Sequence, residues 1–465
     1  MKKINSIKVG GREVLPLIEG GKGIAVSSGA SSGPWAKAGG IGTVSAVNAD
    51  HYDEDGNIIP QVYQGKTRRE RHEELIQYGI QGGVTQVQKA HELSNGEGAL
   101  NINVLWEMGG SESILHGVLD KTRGMVNGVT CGAGMPYRLA EIASSYGVYY
   151  YPIISSARAF GALWKRAYQK CADYLGAVVY EDPWLAGGHN GLSNKEDPLK
   201  PQDPYPRVLE LRKMMRKFGL GETPIVMAGG VWYLRDWEDW IDNEELGPIM
   251  FQFGTRPLLT KESPISESWK DKLPTLKPGE VKLHRFSPTG FFSSAVENSF
   301  LKELYERSKR QISFSTKQTD EHSEPLSYGE RARTIFTSLA EKVKAEGWMR
   351  LGFTEGLKTP DETMVFVDAE KRDDIRKDQV DCMGCLSMCG FSNWADNEKN
   401  SSGRKADPRS FCIQKTLMDI AHGGDIDNNL MFAGHSAFNF AKDPFYSNGF
   451  VPTVKQLVDR IMTGD

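Results

Sequence analysis

Residues 224–256 read PIVMAGGVWYLRDWEDWIDNEELGPIMFQFGTR. Two short apolar runs, Pro224–Ala228 and Ile249–Phe253, are each followed at once by glycine. Gly229-Gly230 comes after the first and Gly254-Thr255-Arg256 after the second. A β-rich run that stops at glycine marks the end of a strand, where the backbone turns sharply or lets a ligand approach. The same kind of run recurs upstream at Val14–Ile18, Gly42–Val47, Ala99–Trp106, Gly128–Cys131, Val148–Ile154 and Ala177–Tyr180. Helical patterns lie between most of them, at Arg69–Leu93, Ser111–Val126, Pro136–Tyr146, Ala157–Leu175 and Pro206–Phe218. Repeated strand–helix units imply a parallel sheet with right-handed crossovers. Eight strands favour closure, so the expected fold is α/β, a TIM (β/α)8 barrel. An open doubly wound sheet would want an early G-x-G-x-x-G turn and an acidic residue about 20 positions later. Gly20-Gly21-Lys22-Gly23 does not fit that frame.

The chain has 465 residues, too many for one minimal domain. The expected division is a barrel over residues 1–275 and a mostly helical C-terminal extension over 276–465 that packs back on the barrel. Within the extension, Arg331–Lys344 reads as a helix, residues 370–412 are polar, and Thr453–Met462 has helical apolar spacing. Charged residues make up 25% and nearly cancel, to a formal net charge of −4. That balance offers no field for nucleic acid. The basic N-terminus has no apolar run behind it, and no stretch approaches the roughly 20 apolar residues of a membrane span. These features predict a cytoplasmic protein with no membrane partner. The sequence leaves the oligomeric state open, a homo-oligomer included.

The active end of such a barrel is the carboxyl end of its strands. Three glycine sites fall there: Gly20-Gly21-Lys22-Gly23 after strand one, Gly229-Gly230 after strand seven, and Gly254-Thr255 after strand eight. Loops seven and eight of such barrels often hold a phosphate on free backbone N–H groups at a short helix. The Thr255 hydroxyl adds a donor. A plain tight turn at Gly229-Gly230 is the alternative.

Ala186-Gly187-Gly188-His189-Asn190-Gly191 follows strand six. Glycines around one histidine let a loop close on a flat ligand while presenting the imidazole for proton transfer. A lone loop histidine is more often merely structural; its place at the end of a barrel strand argues otherwise. The segment Glu181–His189 (EDPWLAGGH) resembles the corresponding loop of the nitronate monooxygenase family, formerly called 2-nitropropane dioxygenases. So do Pro16–Ala46, Gly132-Ala133-Gly134-Met135-Pro136, Ile154-Ser155-Ser156-Ala157, Met227–Val231 and Phe253–Thr255. Pro288-Thr289-Gly290 with Asn298-Ser299-Phe300-Leu301 is similar to a segment that follows the barrel in the same family.

The resemblance implies a TIM barrel with bound FMN. It puts the phosphate on Gly229, Gly230, Gly254 and Thr255. Gly21 and Gly23 would pass near the flavin ring, with Asn101 or Asn103 and also Ser155, Gly187 and Gly188 as further cofactor contacts. His189 would be the catalytic acid or base. The family oxidises alkyl nitronates with flavin and oxygen to a carbonyl compound and nitrite. Lys22 departs from the family, which commonly has an apolar residue there. It is expected either beside the flavin or facing solvent.

Cys382-x2-Cys385-x3-Cys389, with Cys412 further on, brings four of the six cysteines into the last quarter of the chain. Four thiolates suit an iron–sulfur cluster or zinc. The C-x2-C-x3-C rhythm is similar to the cluster segment of 2,4-dienoyl-CoA reductase-type FMN barrels. That favours [4Fe–4S] over zinc, with free thiols third. Cys131 and Cys171 read as small core residues.

These features predict an FMN-dependent oxidoreductase acting on a small-molecule substrate, nitronates or related carbon acids, with oxygen as acceptor. The alternative is an NAD(P)H-dependent flavin reductase of the enoyl-ACP reductase or quinone reductase type. A third reading, a non-catalytic redox sensor, would need Cys382 and not His189.

Overall fold

A computed structural model describes residues 1–465. Eight parallel strands close into a barrel: Leu17–Glu19, Ile41–Ser45, Ala99–Leu105, Gly128–Gly132, Tyr149–Ile154, Val178–Glu181, Ile225–Ala228 and Ile249–Phe253. The last pairs with the first, Phe251–Phe253 against Leu17–Glu19. Each strand overlaps one of the apolar runs identified in the sequence, with its ends shifted by up to three residues. Strands two, four and seven are buried at every position. A parallel strand covered by helices outside and packed inside has no solvent face, so it reads as a continuous apolar run.

The longest crossover helix is Arg68–Ser94. The Thr67 side chain accepts from the Glu70 N–H while Glu70 reaches back to the Thr67 N–H, a capping box that sets its start. The predicted helix from Ala157 is shorter than expected. It ends at Arg166, and a 3-10 segment, Tyr168–Tyr174, follows with Cys171 out of helical geometry.

The helix after strand one, Gly29–Lys37, was not foreseen. Its sequence, GASSGPWAK, is rich in loop formers and carries Pro34. Packing overrides that composition. A side chain at Gly29 or Gly33 would collide with the backbone of Gln86 or Ala90 on the long helix. Trp35 is fully buried and donates its indole N–H to the Leu17 carbonyl.

Past the barrel, the extension mixes strands with helices. A hairpin of Val281–His284 and Ser293–Val296 pairs through Ser293 and Ser294 with the two-residue strand Gly188–His189. Helix Ser299–Lys309 leads to a small sheet of Gln311–Ser313, Thr363–Val367 and Glu355–Lys358. The expected helix at Arg331–Lys344 is corrected here. Arg333–Thr337 is a strand paired with Glu324–Tyr328, and the helix begins only at Leu339. Thr334, Ile335, Phe336 and Thr337 favour a strand. Ser338 then caps the helix by accepting from the Glu341 N–H. No helix is long and apolar enough to cross a membrane.

Candidate active site

At the carboxyl ends of the strands a cavity opens, walled by both the barrel and the extension. Gly20, Gly21, Lys22 and Gly23 line it from strand one, Gly187, Gly188 and His189 from strand six, Gly229 and Gly230 from strand seven, and Gly254 and Thr255 from strand eight. Most residues singled out in the sequence therefore share one space. Asn103 lines it as well. Asn101 does not. It is fully buried one step lower on the same face of strand three, against Tyr151 beneath the rim. Ser155 is also outside the cavity; its hydroxyl is turned to the Gly191 carbonyl, 2.9 Å away.

Lys22 is not a solvent-facing lysine. Its ammonium sits 3.0 Å from the Glu19 carboxylate and donates to the Gly20 carbonyl at 2.9 Å. Glu19 is fully buried, so the pair anchors the strand-one loop and offsets the charge of both groups.

The strand-seven and strand-eight loops have the features a phosphate group requires. Gly229 has φ +94° and Gly230 +79°, left-handed geometry that leaves backbone N–H groups free to converge. At Gly254 an added Cβ would meet nothing within 4 Å, so this backbone borders open space. The Thr255 hydroxyl accepts from the Gly434 N–H at 2.9 Å. Gly434 belongs to the extension, and Met431, Phe432, Ala433 and Ser436 join it in lining the cavity. No sequence signal pointed to this segment. Its nearness explains Gly187, where a side chain would collide with the Ala433 and Gly434 backbone.

His189 is held by the hairpin that follows the barrel. Its Nε2 lies 2.6 Å from the Ser287 hydroxyl, which is 2.9 Å from the Thr289 hydroxyl. Phe432 packs edge-on against the imidazole, with centroids 5.2 Å apart. Burial pushes the His189 pKa down to about 4, so the ring is neutral at physiological pH. His284, on the same hairpin, is pushed to about 3 by burial and then by His189.

One residue was overlooked in the sequence. Glu181 ends strand six and lines the cavity. Burial, and then the neighbouring Asp182, push its carboxyl up to about 8. At neutral pH it is a protonated carboxyl able to donate a hydrogen bond into the cavity. A carboxyl that stays protonated to about pH 8 when folded, but ionises in the usual range when unfolded, stabilises the fold most at low pH. That stability is lost as pH rises through about 8. Glu181→Gln keeps the shape and the neutral charge, so it should flatten the fall in melting temperature that runs from the ordinary carboxylate range up to about pH 8. An unchanged slope from about pH 5 to about pH 8, read by scanning calorimetry, would contradict the assignment.

The four cysteines lie beside the same cavity. Cys385 lines it, as do Leu386, Ile413 and Gln414. Burial raises the Cys385, Cys389 and Cys412 thiols; the other sulfurs raise Cys385 and Cys389 further, and Asp378 and then the other sulfurs raise Cys412. No group of three or more metal-binding side chains is arranged to hold a metal ion. Neither the expected [4Fe–4S] cluster nor zinc is therefore shown at Cys382, Cys385, Cys389 and Cys412.

Comparison with known proteins gives three findings. A family model described as nitronate monooxygenase matches residues 86–377, more than half of the chain. No curated protein matches. Among solved structures, FabK from Thermotoga maritima is similar with a TM-score of 0.52 at 13% identity, over 97% of this chain and 92% of that one. The enoyl reductase domain of MlnA from Bacillus amyloliquefaciens gives 0.53 at 11% identity, over 97% and 93%. Nitroalkane oxidase from Streptomyces ansochromogenes gives 0.46 at 17% identity, over 62% and 78%. At such identities the first two likenesses speak to the fold alone.

Proposed function

The chain belongs to the nitronate monooxygenase family and is an FMN-dependent oxidoreductase, and from that premise we propose that it oxidises alkyl nitronates or related carbon acids in their anionic form, with His189 donating a hydrogen bond to the anion. The observation that carries this reading is a neutral imidazole, fixed by Ser287, at the edge of a glycine-lined cavity. When bound, FMN would supply the electron acceptor, with oxygen as the final oxidant. Gly229, Gly230, Gly254 and Thr255 would hold its phosphate, and Gly21, Lys22, Gly23, Asn103, Gly187 and Gly188 would line the space for its ring.

A histidine that takes a proton only near pH 4 is a weak base, poorly matched to deprotonating a neutral nitroalkane. A nitronate is already an anion. The imidazole can donate an N–H to its oxygen and so hold the anion in the cavity. Lys22 does not compete for that anion, because Glu19 holds it. Anionic nitronates should therefore be oxidised in preference to the neutral nitroalkanes.

Oxygen uptake and nitrite release, measured with a nitronate and with its parent nitroalkane, test the proposal. Nitrite from the nitronate supports it. Rapid flavin reduction by NADH or NADPH with no nitronate oxidation would overturn it in favour of a reductase of the enoyl-ACP or quinone type.

Ser287 is a positioning residue in this scheme. Ser287→Ala removes one hydrogen bond to His189 and leaves the buried imidazole in place. Turnover with nitronate should fall about tenfold, with KM nearly unchanged. Since burial sets the pKa of His189, the pH profile should keep its shape. A tenfold rise in KM at constant kcat would show that Ser287 binds substrate instead.

A further inference from the structure

Leu105-Trp106-Glu107-Met108 carries strand three over its end and into the rim of the cavity. The backbone there is fixed on both sides. The Glu107 N–H donates to the Ala133 carbonyl at 3.0 Å, and the Ser387 N–H donates to the Glu107 carbonyl at 2.7 Å. The side chain is held as well. The Ser387 hydroxyl donates to Glu107 Oε2 at 3.2 Å, the one hydrogen bond its carboxylate accepts. A Cβ added at Gly134 would lie 2.8 Å from Oε1, so the strand-four loop closes tightly on the group. Glu107 forms no ion pair, and it lines the cavity.

Its charge is not balanced by the rest of the lining. The other ionisable side chains there are Lys22, Glu181, His189 and Cys385. The Lys22 ammonium is offset by the Glu19 carboxylate at 3.0 Å. Burial keeps His189 neutral, Glu181 protonated and Cys385 a thiol. Glu107 is the remaining carboxylate. The wall around it is apolar, with Leu105 and Met108 on its own strand end and Leu386 bridged to Met108. Little screens the charge there, so it acts strongly on whatever enters. Strand three lies three strands from strand six around the closed barrel. Glu107 therefore stands across the mouth from His189.

We propose that Glu107 selects substrates by the charge at their far end, receiving an ammonium or similar cationic group and turning away a second anion. This rests on the reading in which His189 holds the anionic end. A substrate that spans the mouth has its head on the imidazole and its tail beside the carboxylate. A cationic tail finds in Glu107 the partner that a charge leaving water needs. An anionic tail is repelled, and Lys22 is not free to offset it. A neutral tail meets Leu105, Met108 and Leu386 and falls between the two. The favoured class is a zwitterionic carbon acid, and rejection of dianions contributes to the selection as much as attraction does. No bond is made or broken at Glu107.

The test uses the full chain with FMN bound and unreactive carboxylates of matched length: butyrate, succinate and γ-aminobutyrate. Each presents the planar pair of anionic oxygens that a nitronate presents, with a neutral, an anionic or a cationic tail. Isothermal titration calorimetry should show γ-aminobutyrate binding about tenfold tighter than succinate, with butyrate between them. Glu107→Gln should bring succinate and γ-aminobutyrate within about threefold of each other. Glu112→Gln, outside the cavity and paired with Arg138, should keep the wild-type order. Equal wild-type affinities, tighter succinate, or no binding of any of these acids would overturn the proposal. Those outcomes need no variant, so the proposal stays open to refutation should Glu107→Gln fail to fold. An order that survives Glu107→Gln would overturn it too. Nitrite release from nitronates carrying the same tails is measured in parallel. If none is oxidised while the binding order holds and depends on Glu107, the nitronate reading falls and the charge selection stands. If nitronates are oxidised but the order is missing, the charge selection falls alone.

Discussion

His189→Ala is expected to yield a protein that still carries its flavin but oxidises nitronate about 10²- to 10⁴-fold more slowly in kcat/KM. The imidazole lies at the cavity edge with Ser287 on one nitrogen and Phe432 against its face. Nothing in the phosphate loops depends on it, so the cofactor should stay. In the wild type, kcat/KM should show no histidine limb near pH 6.5, because burial holds this ring neutral down to about 4. The linkage has a definite sign. His189 is neutral when folded and would charge near pH 6.5 when unfolded, so it favours folding above that pH. This stability is lost as pH falls through about 4. The alanine variant should lack that loss. Steady-state kinetics with flavin quantification checks the first statement, and acid denaturation of both proteins checks the second. Turnover retained within a factor of a few would remove His189 from the chemistry.

Gly229→Val should strip the flavin from the protein. The residue has φ +94°, where a β-branched side chain is strained by about 1–3 kcal/mol. Its Cβ would also lie 2.9 Å from the Ala186 backbone nitrogen, pushing loops six and seven apart. FMN affinity should drop roughly 10- to 100-fold, read by fluorescence quenching during titration of the flavin-free protein. Gly423→Val is the control. It has φ +81° but meets nothing within 4 Å of its added Cβ, and it does not line the cavity. Both substitutions should lower the melting temperature, but only the first should weaken flavin binding. Equal FMN affinity in the two variants would refute the phosphate assignment to this loop.

The barrel was legible because parallel strands buried on both faces leave unbroken apolar runs, and glycine ends the runs at the functional rim. The helix Gly29–Lys37 was not, because Gly29 and Gly33 act through close packing on Gln86 and Ala90 rather than through helix propensity. Asn101 and Asn103 share a face by the two-residue period of a strand. Only their height relative to the rim separates them, and height is a property of the closed sheet. Glu181 was in plain view beside the histidine loop, yet what makes it unusual is burial next to Asp182. The segment Met431–Ser436 is far from the barrel loops in sequence and has no composition that points to them. It meets Thr255 and Gly187 only because the extension folds back over the cavity.

The strand-end loops that line this cavity are read as the seat of one flavin nucleotide. Denaturing the natively isolated protein and quantifying the released flavin tests this most directly. About one FMN per chain is the predicted result. A colourless protein that releases none, and that takes up none when FMN is added, would contradict it.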